Sequence, residues 1–421
     1  MAEGSKTTRG LRRIPAYTPP EDERERPRPT HEERMRRRKI KHSLFSLGYG
    51  LDMPLFVFVV VLLAVGLVML YSASYADSYY NEGSSYYYIQ RQGLFAIVGF
   101  VAMLFVSTFD YHRFHGLALL IYAVAIILLG AVLIFGRLLH MESIAPSEGV
   151  AYRWLNLGVQ FQPSEVAKFA VITLCAHYIS QHIDQMGTLR YGVLPFLLIV
   201  GLPAGLVFLE NHLSGTIIIL ALGVILMFVG GTKLRYFLIG GGALIALLAL
   251  YVVMKGSYQM DRVSVWLDPF SETLDRDLTW QTRQSLYAIG SGGFLGVGLG
   301  QSRQKYLYLP KPMNDFIFAI ICEELGMIGA LVVIILFSLL IWRGMYISLH
   351  AKDKFGTLLG LGITFQVGLQ AVLNICVVTN TIPNTGISLP FFSYGGTALL
   401  MLLGEMGILL NISRSANVEK T

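Results

Sequence analysis

Of 421 residues, 54% are hydrophobic and only 14% charged. A soluble chain of this length would form two or three domains with about a quarter of its residues charged. The apolar residues run together in long stretches, so the solvent is a bilayer and a soluble globular enzyme is excluded. The net charge of +6 largely reflects an N-terminal tail and says little about any substrate.

Residues 1–45 are rich in Pro, Glu and Arg and are expected to form a disordered basic cytoplasmic tail rather than a cleavable signal peptide. The tail closes with Arg34, Arg36, Arg37, Arg38, Lys39 and Lys41. The positive-inside rule puts this cluster in the cytoplasm, where it can hold anionic lipid headgroups. It is short and has no partner fold behind it, so no nucleic acid is expected.

A span needs about 20 mostly apolar residues. That criterion gives an all-α polytopic membrane protein with about ten transmembrane helices. They centre on residues 54–71, 94–109, 117–135, 163–179, 193–208, 215–229, 236–254, 316–342, 358–378 and 395–410. The membrane region is then 46–413, with a large extracytoplasmic loop, 256–314, between spans seven and eight. Residues 414–421 form a cytoplasmic tail, so both termini face the cytoplasm. Basic residues on the expected inner turns (Arg113, Arg190, Lys233, Arg235, Arg343, Lys352, Lys354) agree with this topology. The long loop breaks the pattern with Arg262, Arg276, Arg283, Arg303, Lys305 and Lys311. Long loops translocate whatever their charge, or these cations face an anionic substrate outside.

Within that loop, 290–300 is apolar and glycine-rich but too short to span. Residues 279–300 read as a helix lying along or re-entering the outer leaflet, with glycines for tight turns or close backbone approach. Ordinary glycine-mediated helix packing is the rival account. No Gly-Lys-Ser/Thr follows, so this is not a phosphate-binding P-loop. Cys175, Cys322 and Cys376 all lie in apolar runs and read as small hydrophobes, with no ligand-like spacing for a metal.

The stretch Leu309–Gly326 turns from a proline-stiffened loop into a membrane-length helix at Asp315, with Glu323 and Glu324 two turns further in. An acid at the edge of hydrocarbon is costly unless hydrated, paired or used. The plainer account is that Asp315 or Asn314 caps the helix. Three other polar stretches interrupt apolar surroundings. The first contains Arg153-Trp154 and leads into Gln162-Pro-Ser-Glu-Val-Ala-Lys168. There Pro163 suits the first helical position and Glu165 the positive end of the helix dipole. Glu165 and Lys168 lie three apart and can pair on one face. Lys168 thus reads equally well as an internal ion pair or as a substrate contact. The others are Asp261-Arg262 with Trp266-Leu-Asp-Pro269, and the proline- and glycine-broken loop 380–396, which cannot form one regular helix.

Together these motifs resemble the SEDS family (shape, elongation, division and sporulation) of bacterial cell-wall polymerases, which includes FtsW, RodA and SpoVE. The resemblance runs from span one to Arg414. It rests on Arg153-Trp154 with Gln162–Lys168, on Asn314-Asp-Phe-Ile-Phe running to Glu-Glu-Leu-Gly326, and on Leu389-Pro-Phe-Phe-Ser-Tyr-Gly-Gly396. Residues 291–300 and Lys305-Tyr-Leu-Tyr-Leu-Pro310 look most like the division branch. Two departures stand out. Glu210-Asn-His-Leu-Ser-Gly-Thr216 replaces a family Pro-Asp-Leu-Gly-Thr, and Gln160-Phe161 stands where many relatives have a basic residue. No chemistry is assigned to His212.

The resemblance implies polymerisation of lipid II into β-1,4-linked glycan at the outer face of the cytoplasmic membrane. Asp315 would be the catalytic base. Arg153, Lys168, Lys305 and Arg262 would hold the diphosphate, with Glu165 and Ser393 completing the substrate-binding set. No metal-ligand set is expected; whether Mg²⁺ or Mn²⁺ assists is left open. A class B penicillin-binding protein and other division proteins are the implied partners, the former on spans eight and nine around Gly326 and Gly329. Packing of those glycines inside the bundle is the alternative. A lipid II flippase, or an elongation or sporulation polymerase, would use the same lipid.

Overall fold

The computed structural model describes residues 50–148, 151–156, 158, 160–242, 257–271 and 274–416. The expected basic tail and most of the expected span 236–254 lie outside these residues. Described residues 234–242 are helical up to that edge.

The chain is mostly helical. α1 (Met53–Glu82), α2 (Tyr87–Thr108) and α3 (His112–Val132, continued by a π-helical turn Leu133–Leu138) come first. Two tiny antiparallel pairs follow: β1 (Ser147–Glu148) with β2 (Ala151–Tyr152), and β3 (Leu155–Asn156) with β4 (Gln160–Phe161). Next are α4 (Pro163–His182), the interrupted α5 (Leu189–Leu209) and α6 (Leu213–Val229). Then come α7 (Ser257–Leu267), α8 (Arg276–Gly292), α9 (Ile317–Leu349), α10 (Lys354–Val378) and α11 (Gly396–Ser415).

Among the described residues, seven helices are long and apolar enough to cross a membrane: α1, α2, α3 with its π-turn, α5, α9, α10 and α11. α4 has the length but carries Glu165 and Lys168 near its start. α6 is apolar but has 17 residues, about 25 Å of helix. α4 packs against α3, α6 and α10, while α11 lies along α2. α10 and α11 are the most enclosed of the seven, and both carry polar side chains inward. Asn411 of α11 donates to the Ser107 carbonyl (2.8 Å) and accepts from the Tyr111 N–H (3.0 Å).

α1 begins with Asp52 as its N-cap, accepting from the Leu55 N–H at 3.0 Å. The same carboxylate takes two bonds from Arg343 of α9, Nε at 3.1 Å and Nη2 at 2.7 Å. A bidentate pair of this kind fixes geometry as well as charge. It places the start of α1 beside the far end of α9.

α9 is broken at Gly326 (φ 64°, ψ −167°). A break strands backbone groups that membrane interiors do not tolerate. The glycine-rich segment after α8 satisfies them. The N–H groups of Val297 and Gly298 donate to the carbonyls of Glu323 and Glu324 at 3.0 Å each, and those of Met327 and Ile328 donate to Gly293 and Phe294 at 2.9 and 3.2 Å. The structure therefore corrects the reading of 279–300 as one helix. Helix ends at Gly292, and the backbone beyond it pairs with the broken helix, which the small glycines permit. Gly326 is consumed inside the chain and is not a partner-docking surface.

A Cβ at Gly326 would sit 2.3 Å from the Gly296 nitrogen. Gly326→Ala is therefore expected to cost on the order of 3 kcal/mol or more, from a glycine-only conformation plus the clash. Thermal unfolding in detergent checks this; a variant that melts with the wild type refutes the account.

Candidate active site

Four loop or helix-end segments converge on a cavity of about 220 Å³. The β-hairpin region and the start of α4 give Arg153, Trp154, Glu165 and Lys168. The α5–α6 connection gives His212 and Ser214. The turn before α9 gives Lys311, Asn314 and Asp315, and the 386–395 loop closes the other side above Gln366 and Gln370 of α10.

Asp315 lies two residues before α9, half-buried. The N-cap of α9 is Phe316, and no side chain caps it, so the capping account of Asp315 does not describe this helix. Gly386, at φ +71°, lets the carboxylate come close: a Cβ there would be 3.0 Å from Asp315 Oδ2. The surrounding backbone is held residue by residue. Asn374 donates to the Asp315 carbonyl (2.7 Å) and to the Ile387 carbonyl (2.6 Å). The Ser393 hydroxyl donates to the Asn314 carbonyl at 2.5 Å and accepts from the Leu389 N–H at 2.8 Å. The Tyr394 N–H donates to the Met313 carbonyl at 2.8 Å. Ser393 thus lines the cavity, but its hydroxyl is committed to positioning the acidic turn.

Lys168 is 2% exposed and pairs with Glu165 at 2.7 Å, the pairing that their spacing suggests. Both residues line the cavity, so the ion pair and the substrate-facing position coexist. Arg153 donates through Nη2 to the Asn211 carbonyl at 3.4 Å. Five lining residues carry a buried polar atom with no protein partner: Arg153 Nε, His212 Nδ1, Ser214 Oγ, Asn314 Oδ1 and Gln366 Oε1. Buried polar atoms are almost always paired, so this concentration marks a surface built for a polar ligand. In the α5–α6 connection, outside the helices, burial pushes the Glu210 carboxyl up to about 9, with Arg153 pulling the other way.

Two expected contacts lie elsewhere. Lys305 does not line the cavity. Its ammonium is buried against Glu324 (2.9 Å), Ser72 Oγ (3.0 Å) and the Gly300 carbonyl (2.7 Å), three acceptors for three protons. Neighbouring Glu323 accepts from the Ser302 hydroxyl and from the Arg303 N–H at 2.9 Å. The acidic pair staples the 300–305 loop to α9, and Lys305 neutralises it. Arg262 is also outside the lining. It donates to the Asn384 carbonyl at 2.8 Å and so ties α7 to the loop carrying Gly386. Sequence reading named Lys311 only among the outer cations and passed over His212, Ser214, Gln366 and Gln370, which also line the cavity. The two glutamines, one turn apart within an apolar helix, were the readable signal.

A family model described as "Cell cycle protein", covering FtsW, RodA and SpoVE, matches residues 53–418. The chain belongs to this family. Stage V sporulation protein E of Bacillus subtilis is 38% identical over 365 residues, covering 86% of this chain and 97% of that protein. The probable peptidoglycan glycosyltransferase FtsW of Trichlorobacter lovleyi is 39% identical over 363 residues, covering 86% and 93%. A solved chain from work on a peptidoglycan synthase complex that coordinates polymerization and crosslinking superposes with a TM-score of 0.72 at 26% identity, covering 87% of this chain and 98% of that one. This SEDS member is accordingly a multi-pass membrane protein.

The two roles open to Lys305 separate cleanly. Lys305→Met leaves Glu324 buried without its counter-charge and should cost about 3–5 kcal/mol. Adding Glu324→Leu should recover part of that. Unfolding in detergent reads both; unchanged melting with weakened substrate binding would return Lys305 to the site.

Proposed function

We propose that this chain is a peptidoglycan glycosyltransferase of cell division, polymerising lipid II at the outer face of the cytoplasmic membrane. The observation that carries the reading is that Asp315, Arg153 and Lys168 line one cavity. Asp315 takes the proton from the 4-hydroxyl of the acceptor N-acetylglucosamine as that oxygen attacks C1 of the donor sugar. The bond from C1 to the undecaprenyl diphosphate breaks, the diphosphate leaves with the electron pair, and the new β-1,4 link has inverted configuration. Arg153 and Lys168 face the charge that develops on the leaving diphosphate, a term that preorganised cations supply well in a water-poor site. Glu165 keeps Lys168 pointed into the cavity. Lys311, exposed at the rim, adds positive charge where the anionic headgroup enters.

The Asp52–Arg343 clamp and the basic tail support one orientation. The tail assigns the start of α1 to the cytoplasm, and the clamp keeps the end of α9 on that face. Asp315 precedes the opposite end of α9, which is broken at Gly326 and spans at most about 40 Å between Ile317 and Arg343; that supports an outer site. We retain ten spans, both termini cytoplasmic, and 256–314 as the outer loop. Among the described residues no cluster of three or more His, Cys, Asp or Glu is arranged to hold a metal. Asp315 is the lining carboxylate that would hold a Mg²⁺ or Mn²⁺, which would supply positive charge toward the leaving diphosphate. A class B penicillin-binding protein is the proposed partner, supported by the likeness to the synthase-complex chain. Its docking surface would be the exposed face of α9 at Met327, Ile328, Leu331, Val332 and Ile335.

Asp315→Asn should lower lipid II polymerisation by at least about 10²-fold with no change in melting temperature. Purified variant and labelled lipid II provide the assay. Wild-type polymerisation by the variant would remove Asp315 from the chemistry.

A further inference from the structure

α1 has 30 residues, about 45 Å of helix against a hydrocarbon layer of about 30 Å, and its last turns carry Asp77, Asn81 and Glu82, side chains that hydrocarbon disfavours. From Tyr71 to Tyr88 the sequence holds seven tyrosines, and the other residues are Ser, Ala, Asn, Gly, Asp77 and Glu82. Packing in α1 is inverted: Ser72, Ala73, Ser74, Ala76 and Ser78 face inward, while Tyr75, Tyr79 and Tyr80 are 40%, 57% and 63% exposed. The rings are ordered against one another. Tyr71 meets Tyr75 at 6.1 Å and stacks on Tyr86 at 5.8 Å, and Tyr79 meets Tyr80 at 5.4 Å. A second ring pair is tied to α1 by the Tyr87 N–H, which donates to the Ser78 hydroxyl at 3.2 Å, and leads inward. Tyr87 packs on Tyr88 (5.2 Å), and Tyr88 packs on Tyr394 (5.0 Å), which lines the cavity.

An interfacial aromatic belt sits at one depth and mixes Trp with Lys or Arg. These rings instead climb the helix axis over about 14 Å between Tyr71 and Tyr80, with no Trp, Lys, Arg or large aliphatic residue in that stretch; Arg91 lies over the Tyr87 ring at 4.3 Å. A tyrosine offers a flat apolar face and a polar tip. That suits a pyranose, whose C–H face packs on the ring while its hydroxyls reach phenols, Asn81, Asp77 and the exposed Ser84. We propose that this tyrosine column binds the glycan strand as it leaves the cavity. The proposal rests on the polymerase reading, because continuity with the cavity through Tyr88 and Tyr394 selects the glycan as occupant.

The test uses the full chain carrying Asp315→Asn in nanodiscs, and fluorescent, lipid-free, uncrosslinked glycan oligomers as the probe. Tyr75→Ala, Tyr79→Ala and Tyr80→Ala together should weaken binding by about tenfold, equivalent to ~1.4 kcal/mol. The corresponding Phe triple should keep most of the affinity, since the ring carries the contact. In the Asp315 background, the Ala triple should make strands several-fold shorter from lipid II. Equal oligomer binding by parent and Ala triple overturns the column as a glycan site. So does loss of only transpeptidase association or only nanodisc insertion, which would make it a protein or lipid contact. A wild-type chain that consumes no lipid II sinks the polymerase reading instead, and oligomer binding still decides the column.

Discussion

A membrane-length helix that stops hydrogen-bonding in its third turn has to be repaired by something other than water. In this chain the repair at Gly326 couples α9 to the glycine segment 293–298, and the consequences spread outward. Once Val297 and Gly298 are bonded to the Glu323 and Glu324 carbonyls, the following loop is fixed over the same half-helix. Its Ser302 and Lys305 then fall on the two glutamates. Two acids that would be costly alone become a neutralised anchor. The turn carrying Asp315 emerges from that anchor, so its position depends on a backbone pairing more than a helical turn away.

The cavity follows the same logic of backbone held by side chains. Asn374, Ser393 and Gln92 spend their hydrogen bonds on main-chain groups of residues 313–315 and 387–395. Polar side chains inside an apolar bundle are expensive, and here they make two irregular segments rigid. Arg153, His212, Ser214, Asn314 and Gln366, which line the cavity, each keep a buried polar atom without a protein partner. Catalytic preorganisation of this type needs donors whose positions do not have to be reorganised when charge develops.

Membrane class and most of the spans were legible in the residues, because twenty-residue apolar runs have few other solutions. The expected spans 163–179 and 215–229 were likewise found as helices. Asp315 and the Glu165–Lys168 pairing were also readable, each from an ionisable group in an apolar context. Lys305 and Arg262, which lie outside the cavity lining, look the same on those grounds. A cation near a membrane helix looks alike whether it meets a buried carboxylate, a carbonyl or a substrate.

What the sequence determined by itself was therefore local and periodic: which segments prefer hydrocarbon, and which positions carry charge there at a cost. Only the tertiary structure decided how each cost is met. Lys305 is neutralised by a glutamate on another element, Ser393 is absorbed into a loop, and Asp315 reaches a shared hollow with Arg153 and Lys168. Those outcomes depend on contacts between segments up to hundreds of residues apart, and no spacing along the chain encodes which partner a charge will meet.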